Sequence, residues 1–182
     1  MKILKWLLII VLVLALALLA FLWYMGVFST PKVTEMQMGP YTLVYEEYTG
    51  SYSSVGKVLT RVYQGVKAEG VEPAMGFGMY LNNPNNTDPT KLRSNLGCII
   101  GEKDLKQVYK LRKKFKVAVF KKTNCLVAEF PIRNDLSYMV GPLKVYPELN
   151  KVLKEKNYKM GNCLEIYDMP AKKILFVFEI KK

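Results

Sequence analysis

The stretch Asn162-Cys163-Leu164-Glu165-Ile166-Tyr167-Asp168, between Gly161 and Pro170, has the make-up of a short strand. Side chains alternate across a strand, so Cys163, Glu165 and Tyr167 share one face and Leu164 and Ile166 the other. An acid between a thiol and an aromatic ring has two readings. On a solvated face, Glu165 is an ordinary surface acid. On a face that lines a cavity, it is a polar anchor able to meet a cation or exchange a proton.

The remaining chemistry is narrow. The chain contains no histidine, which removes histidine-based triads, histidine general bases and most zinc sites. Its three cysteines, Cys98, Cys125 and Cys163, are far apart and fall in apolar runs, so they read as buried thiols rather than a disulfide framework. No metal or cofactor is implied. The net charge is +12, from 27 basic and 15 acidic residues. Such a surface suits anionic lipid, acidic partners or solubility alone. No nucleic-acid-reading motif accompanies it, so no nucleic-acid partner is expected.

The elements that must position Glu165 follow from pattern. Trp6 to Met25 is uncharged and apolar, long enough at 1.5 Å per residue to cross a bilayer, and closes on Trp23 and Tyr24. Its bulky end disfavours a cleaved signal peptide, so residues 6–25 are expected to anchor the chain in a lipid bilayer as a single-pass membrane protein. Lys2 and Lys5 before the segment, against Lys32 after it, place the following domain on the extracytoplasmic side. Asn85-Asn86-Thr87 is a glycosylation sequon, which matters only in a secretory lumen. The organisation expected is an anchor with its flanks over 1–30, a linker over 31–39 and a domain over 40–182.

Within the domain, Tyr41–Tyr48 reads as a strand, Ser53–Glu69 as a helix with a buried valine and leucine stripe, and Met75–Leu81 and Leu96–Gly101 as strands. After a short connecting helix the pattern returns. Phe115–Lys121 and Cys125–Ile132 read as strands, Pro142–Lys156 as a helix, and Cys163–Asp168 and Ile174–Ile180 as strands. Pro142 suits a first helical position, while Pro147 can kink the helix or mark its start. The fold class predicted is α+β: duplicated β-α-β-β modules forming one antiparallel sheet, two helices on one face and a ligand groove on the other.

Three stretches carry a resemblance over about Met38 to Lys182: Glu47-Tyr48-Thr49-Gly50-Ser51-Tyr52, then Gly78 to Pro84 followed by Lys91 to Gly97, and Leu164-Glu165-Ile166-Tyr167. In order and spacing the chain resembles the GyrI-like small-molecule-binding domain family, which is related to the effector-binding domains of multidrug-sensing regulators. The family's aspartate in the second block is Asn82 or Asn83 here. An anchor-like segment stands where the regulators carry a DNA-binding domain, and a few membrane proteins of the endoplasmic reticulum share that combination. The resemblance implies an aromatic groove in which the glutamate matching Glu165 meets cationic ligands.

The ligand-binding set expected is therefore Glu165, Tyr167, Tyr80 and Tyr48, and the partner a hydrophobic or cationic small molecule. Two alternatives stand beside it. One is a hydrolase of small reactive compounds with Glu165 as general acid or base, as in some relatives. The other is a membrane-tethered adaptor that uses the basic run Lys110, Arg112, Lys113, Lys114 and Lys116, with Lys121 and Lys122 nearby.

Overall fold

The computed structural model describes residues 2–84 and 86–181; Met1, Lys182 and Asn85, the acceptor of the sequon, lie outside the described residues. The first element is a helix, α1 (Lys2–Tyr24), long and apolar enough to cross a membrane and not buried against the rest of the chain.

The rest is one antiparallel sheet of eight strands with helices on one face. Its strands are β1 (Val33–Met38), β2 (Tyr41–Thr49), β3 (Pro73–Tyr80), β4 (Arg93–Ile100), β5 (Lys116–Phe120), β6 (Thr123–Pro131), β7 (Lys159–Asp168) and β8 (Lys173–Lys181). The helices are α2 (Val55–Ala68), a short α3 (Val108–Leu111) and α4 (Ser137–Glu155). The strand order β1-β6-β8-β7-β3-β4-β2-β5 is symmetric about the β7–β3 pair. The two expected modules are β2-α2-β3-β4 and β6-α4-β7-β8, each extended by one flanking strand.

That flanking strand corrects one expectation. The stretch read as a linker, 31–39, carries β1, which pairs antiparallel with β6 from Val33 against Ala128 to Met38 against Thr123. Of its side chains only Met38 is buried, and Thr34, Met36 and Gln37 are exposed, the pattern of an edge strand.

The register fixes the faces. Directly opposed residues point the same way. One cross-strand row runs Phe130, Ile174, Tyr167, Gly76, Cys98, Val44, and the next runs Ala128, Phe176, Glu165, Gly78, Leu96, Glu46. On this face α2 buries Val58, Val62 and Val66 against Val44, Leu96, Cys98 and Ile100. The same face takes α4, through Val145, Leu149 and Leu153, against Phe130, Phe176 and Phe178.

The opposite face curls onto itself. Met38, Leu43, Phe77, Ile99, Phe120, Cys125, Leu164, Ile166 and Val177, drawn from all eight strands, form a core of their own. What opens on that side is a cleft of about 250 Å³ lined by Leu43, Met79, Phe120, Lys121, Asn162 and Glu179. Glu165 belongs to the helix face instead.

The second helix begins earlier than Pro142. Asn134 Oδ1 accepts from Leu136 N and Ser137 Oγ accepts from Arg133 N, so α4 starts at Ser137 and carries Pro142 and Pro147 inside it. Each proline removes a helical hydrogen bond, and burial of this helix offsets that loss.

Gly97, on β4, lies where the β2 backbone approaches closely. A Cβ there would lie 1.9 Å from the Val44 carbonyl oxygen and 2.7 Å from Tyr45 Cα, both backbone atoms. Gly97→Ala is expected to cost more than about 2 kcal/mol or prevent folding. Gly56→Ala, with nothing within 4 Å on α2, is expected to stabilise by up to about 1 kcal/mol. Thermal unfolding of the detergent-solubilised chain separates the two; equal melting temperatures would contradict the packing described.

Candidate functional site

The two helices cover different strands of the same face. The α2 helix covers β2, β3 and β4, whereas α4 covers β6, β8 and β1, and the two make little contact with each other. Between them runs the seam of the halves, β7 beside β3, and Glu165 lies on that seam opposite Gly78.

Gly78 and Gly76 make the room. A Cβ at Gly78 would stand 3.0 Å from the Tyr80 ring, and one at Gly76 would stand 3.4 Å from the Tyr167 ring. The rings fold into the space that side chains would have taken and roof the floor of the sheet.

Glu165 is 5 % exposed. Tyr146, from α4, donates to its Oε1 at 2.5 Å, and Tyr167 donates to its Oε2 at 3.0 Å. Tyr167 in turn is 2.9 Å from the Tyr80 hydroxyl; its own proton is committed to the carboxyl group, so Tyr80 donates to it. The Tyr80 ring meets Tyr52 edge-on at 4.8 Å, and Tyr52 bonds the Asn82 backbone. Tyr146 is held by Phe178, stacked at 5.7 Å, and by Phe176, edge-on at 5.5 Å. The Cys163 thiol donates weakly to the Tyr146 hydroxyl at 3.7 Å. The outermost ring is Tyr138, 39 % exposed, edge-on to Tyr167 at 5.9 Å.

Among the described residues no lysine or arginine pairs with Glu165. Burial raises its pKa to about 7, against the lowering effect of the hydrogen bonds from Tyr146 and Tyr167. Burial, reinforced by the nearby carboxylate, raises Tyr146, Tyr167 and Tyr80 above the usual phenol value, so they remain neutral donors. Burial pushes the Cys163 thiol up to about 12, which makes it a poor nucleophile. Ser94, 1 % exposed on β4 and paired across from Tyr80, has a hydroxyl without a hydrogen-bond partner. No cluster of three potential metal ligands occurs among the described residues.

The structure brings three of the four expected tyrosine and glutamate residues together: Glu165, Tyr167 and Tyr80. Tyr48 stands apart on β2, beyond β4, with its hydroxyl 3.5 Å from the Ser51 carbonyl and its ring over Gly50. Sequence reasoning missed Tyr146. Continuing the buried stripe of Leu149 and Leu153 one turn back passes through it, but Pro147 obscured where the helix ran. In the basic run, Lys114 pairs with Glu69, and Lys116 pairs with Glu47 at 2.7 Å.

Because the carboxyl group is more easily protonated folded than unfolded, Glu165 favours the fold fully at pH below about 4.5. That contribution is lost as pH rises toward 7, by roughly 3 kcal/mol in all. Glu165→Gln is therefore expected to melt higher than the native chain at pH 8 and to close most of that gap at pH 4.5. Calorimetry of both proteins at the two pH values tests this; a constant difference would show the carboxyl group to be solvated.

No family model matches the chain. It is 27 % identical over 165 residues to human (Homo sapiens) testis-expressed protein 264, covering 86 % of this chain and 51 % of that protein. To the mouse (Mus musculus) homologue it is 26 % identical over 133 residues, covering 69 % and 41 %. The chain thus spans about half or less of the length of these relatives. Among solved structures, it superposes on the EcmrR C-terminal domain with a TM-score of 0.58 at 10 % identity, covering 84 % of this chain and 98 % of that one. SAV2435 bound to tetraphenylphosphonium gives 0.54 at 12 % identity, covering 82 % and 94 %. The chain therefore shares the α+β fold of these two structures.

Proposed function

We propose that the chain is a membrane-anchored small-molecule-binding protein that takes a lipophilic cation into the furrow between α2 and α4, with Glu165 as its charged partner. The observation that supports this most is a nearly fully buried carboxyl group with neutral donors and no basic counter-charge among the described residues. A buried carboxylate either takes a proton or takes a cation. The tyrosine rings around it offer faces that attract a cation by about 0.5–2 kcal/mol each. The unpartnered Ser94 hydroxyl gives a polar ligand atom a second point of contact. Tyr167 and Tyr80 act here as ligand-contact residues together with Tyr146. Tyr48 belongs to the far wall and contacts only a ligand that reaches across β4. SAV2435, which shares the fold, is bound to tetraphenylphosphonium, a lipophilic cation.

Anchoring rests on α1, and the flanking lysines favour an extracytoplasmic domain. Expression in a eukaryotic secretory system reports the side, because a lumenal domain would carry a glycan on Asn85.

Cation binding and proton binding compete at one carboxyl group, so the pH dependence is specific. Tetraphenylphosphonium or rhodamine 6G is expected to bind the full chain in detergent about tenfold more tightly at pH 8 than at pH 6. Glu165→Gln is expected to weaken binding and flatten that dependence. Affinity that ignores both pH and the substitution would remove Glu165 as the anchor.

One observation favours a second reading. A carboxyl group titrating near neutrality, with hydroxyl donors in contact, suits a general base in hydrolysis of small reactive compounds. Turnover of an activated ester, rising with pH through about 7 and absent in Glu165→Gln, would establish it; binding without turnover decides for the ligand-binding protein.

A further inference from the structure

The end of α1 does not hang free. Met25 is buried, and its sulfur accepts from Asn134 Nδ2 at 3.3 Å. Arg133 lies over the Tyr24 ring at 4.9 Å. The span therefore ends against the turn that leads from β6 into α4. Immediately beyond that turn, α4 turns apolar side chains outward: Leu136, Met139 and Leu143, the last two 60 % and 71 % exposed. Positions 136, 139 and 143 follow helical spacing, so they form one stripe. Tyr138 lies beside it and donates to the sulfur of Met169, itself exposed at the β7–β8 turn. Phe28, just past α1, is exposed as well. Arg133 and Lys172 lie at this same end, where Ile132 N donates to the Lys172 carbonyl; Asp135 and Asp168 are acids there, the latter accepting from Ala171 N.

We infer that this face of α4 rests in the headgroup region of the bilayer, with Leu136, Met139 and Leu143 inserted and Arg133 and Lys172 against lipid phosphates. The occupant follows from continuity. A helix that crosses the membrane and ends in contact with Asn134 brings the lipid surface to within a few residues of Leu136. From Ser137 to Leu143 the helix advances only about 9 Å. Amphipathic helices lie about 5–10 Å into the headgroup and acyl boundary, the depth this geometry supplies. Tyr138 packs on Tyr167, so the seated face adjoins the mouth of the Glu165 furrow. This inference rests on the reading of α1 as a membrane span.

The test uses the full chain in liposomes. A Leu143→Cys variant that also carries Cys163→Ser is labelled with an environment-sensitive fluorophore under native conditions, where Cys98 and Cys125 are buried. Tyr109→Cys in the same background, exposed on α3, is the comparison. Expected are a blue-shifted emission at 143 that lipid-borne spin labels largely extinguish, and an unshifted, unquenched emission at 109. An unshifted, unquenched label at 143 on protein that floats with the liposomes overturns the seating and leaves the anchor standing. A blue shift without lipid quenching assigns the stripe to a second protein copy and also overturns it. Failure to float removes the anchor and the seating together. Binding of tetraphenylphosphonium to Glu165 in detergent is measured separately and is untouched by any of these outcomes.

Discussion

A carboxyl group held out of water without a cation is the constraint on which the rest of this fold depends. Glu165 has two neutral donors, and a third tyrosine relays a hydrogen bond to one of them. Two hydrogen bonds from phenols offset part of the desolvation of a carboxylate and leave the balance near neutrality. That balance requires exclusion of water on all sides. Phe176 and Phe178 supply it by fixing Tyr146, and Gly76 and Gly78 supply it by letting Tyr167 and Tyr80 lie close to the sheet. A larger residue at Gly78 would press on the Tyr80 ring at 3.0 Å, whereas a Cβ at Gly76 would meet Tyr167 only at ordinary contact distance.

The symmetric strand order explains why such a site sits where it does. Each half covers its own strands with its own helix, and the seam between β3 and β7 belongs to neither. The seam is roofed by side chains, so the ligand proposed for it would enter by rotamer changes rather than by breaking a helix. Tyr146 comes from one half and Tyr80 from the other, so the site exists only in the joined sheet.

Much of this was legible in the residues. Strand alternation put Glu165, Tyr167 and Cys163 on one face, and the repeated pattern gave two modules in one sheet. Three things escaped, each for a physical reason. Strand β1 has too few buried residues to show an apolar signal, because an edge strand is covered on one side only. Tyr146 lies next to Pro147, and interior prolines hide a helix whose stability comes from burial rather than propensity. The face that Glu165 occupies depends on which side the helices take. Alternation within one strand cannot supply that; only the register through Gly78 and Leu96 to α2 does.

The overall charge bears on the ligand proposed for the Glu165 site. A net charge of +12 repels cations at long range, yet screening at physiological salt confines that repulsion to about 8 Å beyond each charged group. Several basic groups are also tied up with acids: Lys114 with Glu69, Lys116 with Glu47, Lys173 with Glu129. A strongly hydrated cation would have to surrender its water for two phenols and one carboxylate, a poor exchange. A cation whose charge is spread over apolar groups loses little hydration and gains ring contacts. The same property that carries such a molecule past a basic surface, weak hydration, is the property that suits it to a greasy furrow with one acid at its floor.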